Sequence, residues 1–210
     1  MPLHKQTLSP ESISLLLNIN SHKDFKDFYL VGGTSLSLQI GHRESIDLDF
    51  FSQVEFPSNK IELLKTPYQA IGIHNNSIEV IMNNTKVFFF YFAFPRFKDI
   101  KTIEGIRFAD PIDIGLMKLL ALQGRTTRKD IIDLYYIDKE IIPIKDLIDI
   151  FQYHYPKEKF NSIDAIKSLL SNESLEMQPM PKMLKDFDWE TSKEIVVEKL
   201  MKSLSKYLLF

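Results

Sequence analysis

The chain has 210 residues, with 26 lysines and arginines against 28 aspartates and glutamates, a net charge of −2 and a hydrophobic content of 44%. Such a chain builds one globular domain or a modest pair, which excludes disorder and small disulfide scaffolds. It has no cysteine, so thiol nucleophiles, disulfides and thiolate metal sites are excluded, and the near-neutral balance argues against a bulk nucleic-acid coat while leaving a local basic groove open. His4, His22, His42, His74 and His154 lack metal-ligand spacing and read as surface or structural. No secretory signal is visible, and the longest uncharged apolar run, residues 87–95, is far short of the roughly 20 residues of a membrane span. The expected setting is the cytoplasm, away from membranes.

Ser9-Pro10-Glu11 reads as a capped helix start, with the helix covering about residues 10–20. Phe28 to Val31 is aromatic and β-branched and stops at Gly32-Gly33, as a buried strand entering a tight turn would. A short helix at residues 34–39 follows, closed by Gly41. Residues 45–50 alternate polar and apolar, the signature of a half-buried strand with Ile46, Leu48 and Phe50 toward the core. Pro57 and Ser58 open a helix to about Lys65, and strands are expected at 77–82 and 86–94. The latter is apolar on both faces, as a central strand covered on both sides would be. From Asp110-Pro111 onward the pattern is helical, with helices at about 111–123, 127–138, 144–154, 161–170 and 190–208, and a linker over 171–188. The expected architecture is α+β, with an α/β domain at residues 1–109 and a helical domain at 110–210.

Asp47 and Asp49 sit two residues apart, so on a strand both carboxylates leave one face about 6–7 Å apart. Two hard carboxylates so spaced can bridge Mg²⁺ ions for phosphoryl transfer; the alternative is the solvated face of an edge strand. Gly32 and Gly33 let a phosphate approach backbone amides, and the following helix, beginning with Thr34, adds further donors. Thirteen residues separate Gly33 from Asp47, which sets a phosphate cradle beside a metal-binding strand. Ser45 shares the parity of both aspartates, and Glu79 is the strand candidate for a third carboxylate. Lys118 stands among Ile114, Gly115, Ala121 and Leu122 on its helix, where it either lines a cleft facing phosphate charge or snorkels to water. Thr127 with Asp130 has the spacing of a capping box, Lys129 can pair with Asp133, and Asp130 and Asp133 share a helix face.

Leu30-Val31-Gly32-Gly33-Thr34-Ser35-Leu36, followed by residues 41–51 with their Ser45-Ile46-Asp47-Leu48-Asp49 centre, resembles the AbiEii/AbiGii-type nucleotidyltransferase toxin family. Lys118-Leu119-Leu120-Ala121-Leu122, then Arg125, Arg128-Lys129-Asp130 and Asp133-Leu134-Tyr135, matches that family's second signature in order and spacing. The resemblance covers about residues 28–136. It implies a minimal polymerase-β-type nucleotidyltransferase core, a mixed sheet with flanking helices, followed by an all-helical C-terminal domain that contributes Lys118 and Asp130 to the cleft. It implies an NTP substrate and Mg²⁺, in a two-metal site held by Asp47 and Asp49. Gly32, Gly33, Thr34 and Ser45 would serve the nucleotide, Lys118 would contact it, and Asp130 would be the acid of the helical domain.

The expected function is transfer of a nucleoside monophosphate from an NTP to an acceptor such as a tRNA 3′ end, by the toxin of a toxin–antitoxin or phage-defence pair with a cognate antitoxin protein. The alternative is a non-catalytic NTP-binding protein of the same fold that works through a protein partner.

Overall fold

In the computed structural model, which describes residues 2–124, 126–155, 161–170 and 174–205, the chain forms two units, Met1–Asp110 and Pro111–Phe210. The first unit begins with helix α1, Pro10–Ser21, capped by Ser9, whose hydroxyl accepts from the Ser12 amide at 3.1 Å. Strand β1, Tyr29–Leu30, leads directly into helix α2, Gly32–Ile40. The two glycines are therefore the opening residues of α2, not a turn ahead of it, and its N-cap is Val31, which has no side-chain oxygen to cap with. Gly41 ends α2 in left-handed backbone at φ 69°, a conformation glycine adopts without penalty.

The remaining strands are β2, Leu48–Ser52; β3, Gln69–His74; β4, Ser77–Met82; β5, Thr85–Tyr91; β6, Lys101–Ile103; and β7, Ile106–Phe108. They complete a seven-stranded sheet in the order β3-β4-β5-β2-β1-β7-β6. The β2–β5 and β1–β7 pairs are parallel and the others antiparallel, so the sheet is mixed. One of its faces carries Leu30, Leu48, Phe50, Val80, Val87 and Phe89 into a core with Leu15, Leu16 and Ile19 of α1. Phe50 and Phe89 stack there at 5.2 Å. The opposite face carries Asp49, Phe51, Glu79, Phe88 and Phe90, all half-buried.

Three further expectations for this unit change. β5 is interior to the sheet as its apolar sequence suggests, yet only one face is fully covered: Val87 and Phe89 are buried whereas Phe88 and Phe90 are half-buried. The segment opened by Pro57 is a 3₁₀ helix over Ser58–Leu64. β2 begins only at Leu48, and Ile46, expected in the core, is 66% exposed.

The second unit is helical: α3, Pro111–Leu122; α4, Arg128–Glu140; α5, Ile144–His154; α6, Ser162–Leu170; α7, Ser174–Met177; and α8, Trp189–Ser205. A Cβ at Gly115 would stand 2.9 Å from Leu147 Cδ2, so a glycine is what lets α3 and α5 close on one another. α7 lies inside the expected linker, of which residues 171–173 lie outside the described residues, as do 206–208 of the final expected helix.

Tyr136 of α4 is buried and donates its hydroxyl to the Asp186 carbonyl at 3.0 Å. Burial, reinforced by Tyr135, Glu140 and Asp186, pushes its hydroxyl up to about 12. A raised folded value favours the protonated folded form, so this contribution is intact below the unfolded value near ~10 and is lost as pH rises toward about 12. Urea denaturation at about pH 9 and about pH 11 should show an alkaline loss of stability that is smaller in Tyr136→Phe; equal losses in both proteins would refute the assignment.

Candidate active site

A tight local constraint in the first unit lies where β1, α2 and β2 meet. The Val31 amide donates to the Asp49 carbonyl at 2.8 Å, which brings the start of α2 against β2. Gly32 has φ +66°, and a Cβ there would stand 2.8 Å from Asp49 Oδ2. Gly32 is thus required twice, by its backbone and by the carboxylate lying against it. The first-turn amides of α2 have no acceptor within the helix, and Val31 offers no side-chain cap. A concentration of N–H donors and the positive end of a helix dipole therefore lie beside a carboxylate, an arrangement that can hold phosphate and cation together.

Asp47 precedes β2 and is half-buried, so its direction is not fixed by the strand pleat as the alternation suggests. The reason is visible in the hydrogen bonds. Thr34 donates its hydroxyl to the Asp47 carbonyl, and the Ser45 amide donates to the Thr7 carbonyl at 2.9 Å, so these backbone groups are taken away from the sheet ladder. Thr34 has one hydroxyl proton, and it goes to Asp47; Ser45 is then the donor in the 2.7 Å contact between the two hydroxyls. Both side chains are buried. They form a latch between α2 and the loop carrying Asp47.

The sheet register exposes what the sequence left hidden. Asp49 pairs with Phe88 on β5, and Phe88 pairs with Glu79 on β4. Phe88 therefore stands between the two carboxylates, which lie two strand spacings apart, about 9–10 Å. Lys86, two residues before Phe88 on the same face, holds Glu79 at 2.5 Å. The hydrogen bond to Glu79 raises the Lys86 ammonium above its ordinary range despite partial desolvation, and Asp47 and Asp49 add to the rise. Among the described residues no group of three or more aspartate, glutamate or histidine side chains could hold a metal ion. Lys86 was not among the expected site residues: its alternation on β5 is legible, but its opposition to the aspartates depends on register.

In the second unit, Lys118 neither snorkels nor stands alone. Its ammonium lies 2.7 Å from Asp130 Oδ1 and 2.8 Å from Asp133 Oδ2, with side-chain exposures of 13%, 11% and 0%. Asp130 also closes the expected capping box, receiving the Thr127 amide at 3.0 Å while Thr127 Oγ1 accepts from the Asp130 amide. Burial alone pushes the Asp130 carboxyl up, but Lys118 and the hydrogen bonds from Lys118 and Thr127 outweigh it and hold it below the usual carboxylate range. Asp133 thus pairs with Lys118 and not with Lys129, because the apolar neighbours of Lys118 turn its ammonium toward α4. Arg125 lies outside the described residues.

A mixed sheet with a glycine-initiated helix against an aspartate-bearing strand is the core that the resemblance to nucleotidyltransferases implies. The family model described as nucleotidyl transferase AbiEii toxin, Type IV TA system, matches residues 14–91. An uncharacterized protein of Aquifex aeolicus is 30% identical over 156 residues, 69% of this chain and 73% of that protein. Among solved structures, JHP933 from Helicobacter pylori superposes with a TM-score of 0.54 at 18% identity, covering 93% of this chain and 90% of that one. MenT4, a nucleotidyltransferase toxin of Mycobacterium tuberculosis, does so with a TM-score of 0.55 at 11% identity, covering 90% and 81%. The chain belongs to the AbiEii nucleotidyltransferase toxin family, and its enzyme class is nucleotidyltransferase.

Proposed function

We propose that the protein transfers a nucleoside monophosphate from an NTP to an acceptor hydroxyl, with a tRNA 3′ end as the acceptor, in an Mg²⁺-dependent reaction that makes it the toxin partner of a cognate antitoxin. The observation that carries this reading is the contact of Asp49 with Gly32 at the uncapped start of α2. Phosphate donors and a carboxylate are built into one place, at the cost of a left-handed glycine. No helix of the described residues is long and apolar enough to cross a membrane.

Asp47 and Asp49 are half-buried carboxylates of the hard-oxygen type, a donor pair that fits Mg²⁺ completed by water and substrate oxygens and able to bridge two ions. Bound Mg²⁺ would neutralise triphosphate charge and make the acceptor hydroxyl more acidic. The chain's own residues do the rest by positioning. The amides of Gly32 and Gly33 hold phosphate oxygens, and Thr34 and Ser45 fix the loop that carries Asp47. Lys118 serves the nucleotide phosphates, and Asp130, 2.7 Å away, orients it. Support for that last assignment is the desolvated ion-pair cluster itself, a costly construction for folding alone.

The test incubates the protein with each labelled NTP in turn, Mg²⁺ and total tRNA. Label should reach RNA, and Asp47→Asn should slow transfer by at least about 100-fold while leaving the fold intact. Absence of Mg²⁺-dependent label on any acceptor defeats the reading. The ion pair that ties Glu79, the candidate third carboxylate, to Lys86 favours the second reading, a non-catalytic NTP-binding protein that works through a protein partner; growth arrest that survives Asp47→Asn would support it.

A further inference from the structure

The first unit contains a cavity of about 340 Å³ whose lining excludes Asp47 and Asp49 and includes Lys26, Asp27, Tyr29, Gln53, Arg96 and Arg107. It lies at the far end of β2. Gln53 follows that strand, four residues beyond Asp49, a separation of about 13 Å along extended chain.

The electrostatics of the cavity are one-sided. Lys26, Arg96 and Arg107 face a single carboxylate, Asp27. Arg107 is anchored, donating Nε to the Phe28 carbonyl at 2.8 Å and its terminal nitrogens to the Asn20 and Phe25 carbonyls at 2.8 and 2.9 Å. These neutral acceptors fix its position and leave its charge in place. Arg96 lies with its guanidinium carbon 5.3 Å from the centre of the Tyr29 ring, and its Nε is buried with no hydrogen-bond partner among the described residues. A buried charged donor without an acceptor forgoes a charge-assisted hydrogen bond, so native structures rarely leave one without a reason. Lys26 has an exposed side chain that forms no ion pair among the described residues. Gln53 is turned away from such a role, its amide donating to the Phe94 carbonyl at 2.8 Å.

We propose that this cavity is a second anion site, distinct from the Asp47–Asp49 region, that takes a dianionic phosphoryl group such as that of a nucleoside monophosphate or a 5′-phosphorylated RNA end. Three cations against one carboxylate leave an excess matched by a doubly charged ligand. The fork of Arg96, placed over the Tyr29 ring, suits two phosphoryl oxygens, and Lys26 suits a third as a point charge. The volume is at the lower end of small-ligand pockets, enough for a phosphoryl group with the sugar or base next to it.

The test is calorimetric titration of the full-length Asp47→Asn/Asp49→Asn protein in low salt without Mg²⁺, which separates this site from the catalytic one. The probes are inorganic phosphate, AMP, and one RNA oligonucleotide with either a 5′-phosphate or a 5′-hydroxyl. AMP or the 5′-phosphorylated oligonucleotide should bind at one site per chain, and the preferred probe identifies the source of the phosphoryl group. Arg96→Ala should weaken that binding at least tenfold, and Lys26→Ala, a surface change that spares the fold, should weaken it as well. No binding by any probe overturns the proposal. So does equal binding of the 5′-phosphate and 5′-hydroxyl oligonucleotides, or undiminished affinity in both Arg96→Ala and Lys26→Ala.

Discussion

Gly32→Ala is expected to give a folded protein that transfers nucleotide about 100-fold more slowly than wild type, with a stability loss of about 1–2 kcal/mol. The two effects have separate origins. Alanine at φ +66° carries the steric cost of the left-handed region whatever surrounds it. The new Cβ would also lie 2.8 Å from Asp49 Oδ2, a side-chain atom that can rotate away. That rotation is cheap for folding and expensive for function, because it displaces the carboxylate from the amides of α2. Gly72→Ala supplies the control: Gly72 lies on β3 with nothing within 4 Å of its would-be Cβ, so stability should change by less than about 0.5 kcal/mol and transfer should be untouched. A wild-type transfer rate in Gly32→Ala would remove the glycine–carboxylate contact from the mechanism.

Lys118→Met should destabilise the protein by about 3–5 kcal/mol at neutral pH, because it removes the ammonium that lies between two buried carboxylates. Asp133 is fully buried and Asp130 nearly so, and both lie within 2.8 Å of the lost ammonium. The pH dependence identifies the cause. In the wild type the Asp130 carboxyl lies below its ordinary range, so its contribution is present above the unfolded value near ~4 and is lost as pH falls through the lower folded value. With lysine gone, the Thr127 hydrogen bonds alone oppose burial and the Asp133 charge, so that folded value rises and protonation relieves the strain. Urea denaturation should therefore show a deficit in Lys118→Met that shrinks between about pH 7 and about pH 4.5. A deficit independent of pH would point to lost packing of the lysine stem, not to uncompensated charge.

Elements bounded by strong local chemistry were readable from the chain. Ser9-Pro10, Gly41 and the Asp110-Pro111 step all mark helix ends where the structure has them, and α5 matches its expected span. The short strands β6 and β7 were not readable. Each has three residues, too few for a period, and they are joined by Glu104 and Gly105 at φ 50° and 80°, a primed two-residue turn without the usual asparagine or aspartate signal. At the candidate site, the residue types and spacing of Gly32, Asp47 and Asp49 were legible, as was the oddity of Lys118 among apolar neighbours. The start of β2 was not, because alternation continues through Ile46 while Thr34 and Thr7 withdraw the backbone groups of Asp47 and Ser45 from the ladder. Nor was the place of Lys86, which exists only once β4, β5 and β2 are aligned.

The two-residue strand β1 has neighbours at very unequal distances along the chain, with Leu30 pairing Phe50 on one side and Phe108 on the other. Residues that assemble the glycine–carboxylate contact thus lie within one short stretch of chain, and during synthesis they emerge well before the strand that covers β1's other edge. Closing the longer segment costs roughly 1 kcal/mol more in chain entropy than closing the shorter one. The β1–β7 ladder is therefore the natural late event of refolding, and the nascent chain acquires its glycine–carboxylate corner before its sheet is complete.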